Sequence, residues 1–203
     1  MSFYSSNIQK LIDEFAKFPG IGKKTAERFI FYLINKNQMS LDLIAELIKN
    51  LKNEVQICPI CFNISSQTTC SICDNSERSQ GVICIVEKPQ DLQAIENTGE
   101  YQGVYHVLGG KIDTLEPDTF KNLKIRELFE RIKKNNPKIH EIIFGINSDI
   151  GGESTIIYLT NMIKKIDPLI KISRLAQGLP TGSDIEYADQ ITISNALKNR
   201  RKI

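Results

Sequence analysis

Four cysteines within the stretch C-P-I-C-F-N-I-S-S-Q-T-T-C-S-I-C constrain this chain more tightly than any other feature. Cys58 and Cys61 form one C-x-x-C knuckle and Cys70 and Cys73 a second, with eight residues between the two. Each knuckle turns two sulfurs towards one point, and a pair of knuckles wraps a tetrahedral Zn²⁺ with four thiolates. A redox C-x-x-C is the competing reading, but two copies this close favour metal. Four thiolates leave no open coordination position, so the expected ion, one per chain, is structural. The separation is shorter than the commonest ribbon spacing, which requires a tight loop between the knuckles. The fifth cysteine, Cys84 in V-I-C-I-V, reads as a small core residue. Five cysteines in a chain expected in the cytosol point away from disulfides.

On the N-terminal side, apolar residues recur at helical spacing in three stripes. Ile8, Leu11, Ile12 and Phe15 make the first; Ala26, Phe29, Ile30, Leu33 and Ile34 the second; Ile44, Leu47, Ile48 and Leu51 the third. Each stripe is expected to face a core. Ser6 with Gln9 reads as a capping box, and Ser40 as the N-cap of the third helix. Between the first two helices lies F-P-G-I-G-K-K-T-A-E-R, residues 18–28. Pro19 stops the first helix, and Gly20 and Gly22 are expected to give a tight turn with positive φ. The turn opens onto a helix N-terminus, whose first N–H groups have no intrahelical acceptor and suit a phosphate oxygen. Lys23, Lys24 and Arg28 add cations at the same place. The pattern resembles the helix-hairpin-helix motif, which grips the nucleic-acid backbone without reading bases.

Charge supports a local rather than a global contact. The net charge is only +2, while residues 1–53 carry eight Lys/Arg against five Asp/Glu. The tail K-N-R-R-K, from Lys198 to Lys202, adds four cations and reads first as a solubilising tail. Only His106 and His140 are present, which excludes mechanisms needing several histidines. The six tyrosines are dispersed, and there is no room for a strand-passing domain, so a tyrosine topoisomerase is not expected. The start M-S-F-Y-S-S-N-I lacks the regions of a signal peptide, and no run approaches the roughly 18 apolar residues of a membrane span. The expected location is the cytoplasm, with no membrane association.

From residue 81 the pattern becomes strand-helix alternation. V-I-C-I-V (82–86), V-Y-H-V-L (104–108), E-I-I-F-G-I (141–146) and L-I-K-I-S (169–173) suit strands of a parallel sheet covered on both faces. Helical stripes intervene at Ile125, Leu128, Phe129 and Ile132, and at Leu159, Met162, Ile163 and Ile166. Glu87 follows the first strand directly, and Asn147, Asp149 and Glu153 follow the third, where sites gather in open parallel sheets. If those strands are neighbours, Glu87, Asp149 and Glu153 converge. The arrangement resembles the Toprim domain, in which a glutamate and an Asp-x-Asp hold Mg²⁺. Here the second element is Asn147-x-Asp149, and an amide brings no charge. Mg²⁺ would bind weakly, and two-metal chemistry is hard to support. The competing role for these acids is to cap the following helix at its positive end.

Taken in order, a helix-hairpin-helix, a four-cysteine module, a Toprim domain and a basic tail resemble the RecR recombination mediator family over essentially the whole chain. Y-Q-G-V-Y-H-V-L-G-G-K-I (101–112) and S-R-L-A-Q-G-L-P-T-G-S-D-I-E-Y-A-D (173–189) resemble that family's most specific stretches. RecR-like proteins typically read E-G-E where this chain has Gly151-Gly152-Glu153, so one further acid is absent. They also typically lack the full Asp-x-Asp. The implied fold class is α/β: a helical helix-hairpin-helix region (1–54), a C4 zinc module (55–77), a Toprim domain with a mostly parallel sheet (78–177) and a C-terminal extension (178–203).

The resemblance implies a non-enzymatic DNA-repair protein that binds single- and double-stranded DNA without sequence preference on the nucleoid. It implies action with RecO, and in some settings RecF, so that RecA loads onto DNA coated by single-strand-binding protein. It also implies assembly as a homodimer or ring-like homotetramer. Gly20, Gly22, Lys23, Lys24 and Arg28 would contact DNA, while Glu87, Asp149 and Glu153 would form a vestigial acidic site, holding a cation weakly or docking a partner. The alternative is a Mg-dependent Toprim-type nuclease or primase-like enzyme.

Overall fold

Residues 4–112, 119–134 and 138–201 are described by the computed structural model. The first three residues of the M-S-F-Y start, and Lys202 of the basic tail, lie outside the described residues. Contacts divide the chain into two units, Met1–Glu54 and Val55–Ile203.

Among the described residues the first unit holds three helices: α1 (Ser6–Phe15), α2 (Lys23–Ile34) and α3 (Gln38–Asn50). Ile12, Ala26 and Ile30 are buried between α1 and α2, flanked by Ile8, Phe15, Ile21 and Leu33. The helix starts differ from expectation at two caps. Ser5, not Ser6, caps α1 by accepting the Ile8 N–H, and the Gln9 amide donates to Asp13 one turn on. Asn37, not Ser40, caps α3, and the Ser40 N–H is the group it satisfies at 2.9 Å. No residue of α3 is buried. Its apolar stripe, Leu43, Ile44, Leu47, Ile48 and Leu51, is exposed, Ile48 by 65%. The expectation that every stripe faces a core fails here, since helical period marks an apolar face without supplying a partner for it, and Leu11 of α1 and Phe29 and Ile34 of α2 are exposed as well.

The second unit begins with a two-residue antiparallel ladder, β1 (Gln56–Ile57) with β2 (Ile64–Ser65), followed by the single turn α4 (Ser71–Asp74). Next come β3 (Ser79–Val86), α5 (Pro89–Glu96), β4 (Gly103–Val107), α6 (Thr119–Asn122), α7 (Ile125–Lys134), β5 (Glu141–Gly145), α8 (Ile150–Ile166) and β6 (Lys171–Arg174). A 3₁₀ turn at Ile185–Tyr187 leads to α9 (Gln190–Lys198).

The sheet order is β4-β3-β5-β6, and all three pairings are parallel. Side-chain alternation sorts the strands between two faces. Ile83, Ile85, Val104, Ile142 and Phe144 pack against Leu128 and Ile132 of α7 and Leu159 and Ile163 of α8. Cys84, Val86, Tyr105 and Val107 pack on the other face against Leu92 and Ile95 of α5. Full burial of each such Leu or Ile contributes on the order of 2 kcal/mol. The chain leaves β3 towards β4 on one side and returns to β5 on the other, so the order reverses between β3 and β5. In open parallel sheets the crevice beyond the strand ends forms at that place.

Candidate nucleic-acid interface and four-cysteine site

The turn before α2 is built by one left-handed glycine, not two. Gly20 sits at φ +78°, whereas Gly22 is the N-cap of α2 at φ −82°, ordinary extended backbone. A Cβ added at Gly22 would meet nothing within 4 Å, so the space before the helix is open. The Gly22 carbonyl accepts the Thr25 and Ala26 N–H groups, and among the described residues no side chain caps the helix. The N–H groups of Lys23 and Lys24 therefore stand where α-helical geometry supplies no acceptor. Lys23, Lys24 and Arg28 are exposed and, among the described residues, none forms an ion pair. Lys24 and Arg28 share one face, a turn apart. Glu27, between them in sequence, is taken up by the Tyr4 hydroxyl. The arrangement suits a phosphate oxygen by dipole, amide and charge together.

Cys58, Cys61, Cys70 and Cys73 come together: their sulfurs all lie within 4.8 Å of one another. A tetrahedral ion with metal–sulfur bonds of about 2.3 Å spaces its ligands by about 3.8 Å, so the cluster fits one Zn²⁺. Three of the four are buried and Cys73 is half-buried, closed enough for a structural site. Hydrogen bonding within the cluster, first with Cys61, holds the Cys70 sulfur below the usual thiol range, while Cys61 and Cys73 are pushed up. Crowded sulfurs resist sharing more charge without a cation among them. Cys84 stands apart in the core, where burial pushes its thiol up to about 12 and leaves it unreactive.

The three acids lie at the reversal between β3 and β5, and each is engaged by protein. Glu87, 2% exposed, accepts the Asn147 N–H at 2.8 Å. Asp149 is the N-cap of α8, accepting the Gly152 N–H at 2.9 Å, and pairs with Lys111. The Lys111 ammonium, with that N–H, holds its carboxyl below the usual carboxylate range. Glu153 pairs with Arg174 at 2.7 Å. The strands are neighbours, but among the described residues only the cysteines gather three or more metal-ligating side chains around one point. Gly152 is fixed by close approach, since a Cβ there would lie 1.9 Å from the Asn147 carbonyl oxygen.

Sequence reasoning did not single out Lys111, Arg174, Gln177 or Arg131. The first three lie in the specific stretches 101–112 and 173–189, which was the available signal. Gln177 bonds Ser148 beside the acids and receives Asn195 of α9 at 2.7 Å, fastening the C-terminal helix to this end of the sheet.

Fold and sites define a Toprim-domain protein with an N-terminal helix-hairpin-helix and a four-cysteine module. The family profile for the RecR helix-hairpin-helix matches residues 8–52, that for the Toprim domain residues 81–176, and that for the RecR C-terminal region residues 178–201. The recombination protein RecR of Bifidobacterium animalis subsp. lactis is 42% identical over 200 residues, covering 98% of each chain. That of Dehalococcoides mccartyi is 41% identical over 194 residues, 96% of this chain and 93% of the relative. The chain belongs to the RecR family.

Proposed function

We propose that this protein is a non-enzymatic, DNA-binding recombination mediator in DNA repair. Residues 1–54 grip phosphates through Gly20, Gly22, Lys23, Lys24 and Arg28, without reading bases and on single- or double-stranded DNA. Residues 55–77 hold one structural Zn²⁺ through Cys58, Cys61, Cys70 and Cys73. Residues 78–177 form the Toprim domain and residues 178–203 its C-terminal extension. With RecO, and in some settings RecF, the protein lets RecA load onto DNA coated by single-strand-binding protein.

One observation carries this: three exposed cations, none in an ion pair among the described residues, lie at and one turn beyond a helix start without a side-chain cap, in the segment matched by the RecR helix-hairpin-helix profile. The relatives' name, recombination protein, supports the process. One hairpin neutralises few phosphates and binds weakly, so several hairpins in a homodimer or ring-like homotetramer raise affinity through effective concentration. The open apolar face of α3 supports self-assembly. Support for a mediator without its own chemistry comes from Glu87, Asp149 and Glu153, whose partners are a backbone amide, a helix start with Lys111, and Arg174. Mg²⁺ binds such acids weakly.

Reconstitution tests the proposal. RecA is added to gapped DNA coated by single-strand-binding protein, with RecO, with and without this protein. Faster RecA assembly that depends on both proteins is expected. No acceleration, with a relative from Bifidobacterium active in the same mixture, would contradict the mediator role.

A further inference from the structure

Among the described residues β4 ends the sheet, and its outward backbone groups face no strand. Residues 103, 105 and 107 point off the edge, while the Leu108 N–H points inward and bonds the Val86 carbonyl. Three outward groups are nevertheless engaged. The Gly103 carbonyl accepts Arg78 Nη1 at 3.0 Å, and the Tyr105 carbonyl accepts Arg131 Nη1 at 2.7 Å. The Val107 N–H donates to the carbonyl of Cys61, a member of the sulfur cluster, at 2.7 Å. Phe62, the next residue, packs edge-on against His106 of β4 with ring centroids 5.3 Å apart. It holds φ +63°, a left-handed conformation unusual for a bulky residue and kept where surroundings over-determine it. Arg131 also reaches the Ile60 carbonyl of the first knuckle at 3.5 Å, a long contact. One guanidinium therefore spans the strand and the knuckle. Burial disfavours its charge, and the sulfurs of Cys73, Cys61 and Cys58 favour it.

We propose that the four-cysteine module is the cover of the open sheet edge, and that Arg131 is the positioning residue coupling the metal centre to β4. A Zn²⁺ bound by four thiolates carries net negative charge, which Arg131 offsets from the strand side. Without the ion the knuckles lose the bonds that hold their shape, Cys61 is free to leave Val107, and Arg131 keeps a partly buried charge with less to balance it. The edge then opens, and a bare edge strand is a template for pairing with another chain.

This inference rests on the zinc reading, so metal content is measured separately. Residue-resolved hydrogen exchange is followed in the full chain as purified, after chelation, and in Arg131→Met and Arg131→Lys, with elemental zinc counted in each. Chelation is expected to speed exchange at Val107 relative to Leu108 by about tenfold or more, since the two amides differ in which side they face. Arg131→Met should keep its zinc, speed Val107 alone by about fivefold and yield its metal faster to a chromogenic chelator. Arg131→Lys, which keeps the charge without the fork, should shift in the same direction by less. Folded protein without metal would overturn the zinc reading and the cover with it. Bound zinc whose removal leaves Val107 and Leu108 in step would overturn the cover alone. Unchanged exchange and metal release in the folded variants would remove Arg131 from the role.

Discussion

The Glu87 carboxylate, at the end of β3, accepts the backbone N–H of Asn147, at the end of β5, across 2.8 Å. A buried carboxylate that satisfies a loop amide is a structural part of the strand ends. Glu87→Ala should lower stability by about 1–3 kcal/mol by leaving that amide unpaired, and Glu87→Gln by less because its amide oxygen still accepts. Urea midpoints of the two variants check this. The parent and both variants, incubated with magnesium and labelled DNA, should show no cleavage or polymerisation.

Burial holds the His106 ring down to about 4, against an ordinary value of 6.5, and its Nε2–H donates to the Lys124 carbonyl at 2.7 Å. With that tautomer Nδ1 is a bare acceptor, the buried side-chain polar atom lacking a partner among the described residues. The unfolded chain takes up this proton before the folded one. The contribution is therefore complete above about pH 6.5 and is lost as pH falls from there towards 4, up to roughly 3 kcal/mol. Urea unfolding across this window should show a smaller acid loss in His106→Gln than in the parent. Equal losses would show that His106 does not titrate this way.

Metal analysis should return about one zinc per chain, and chelation should lower the thermal midpoint because binding free energy is folding free energy here. Cys70→Ser should have the same effect without chelator. Free thiols, no metal and an unchanged melting curve in purified protein would contradict the site.

Leu47 and Ile48 are exposed by 59% and 65% on a helix with no buried residue. Leu47→Asp with Ile48→Asp should reduce the molar mass measured by light scattering towards that of the monomer while helix content is kept. An unchanged mass would show that assembly uses another surface.

The strands were legible because a parallel strand covered on both faces is a continuous apolar run, as V-I-C-I-V and E-I-I-F-G-I are. The sulfur cluster was legible because its chemistry is written in local spacing. Neighbouring candidates blurred the helix starts: Ser5 or Ser6, Asn37 or Ser40. Gly22 is not the left-handed residue that its place beside Gly20 predicts, because composition alone does not separate a flexible turn from an open approach. The pairs Lys111–Asp149, Arg174–Glu153 and Arg131–Tyr105 join residues far apart in sequence, and no period announces them.

The most direct test is the salt dependence of DNA affinity for the parent and for Lys23→Ala/Lys24→Ala. The parent should bind duplexes of unrelated sequence alike, with log affinity falling linearly with log salt. The double variant should bind more weakly at every salt, with a slope shallower by about two for each hairpin engaged. Equal affinity and equal slope in a folded double variant would contradict the hairpin as the DNA grip.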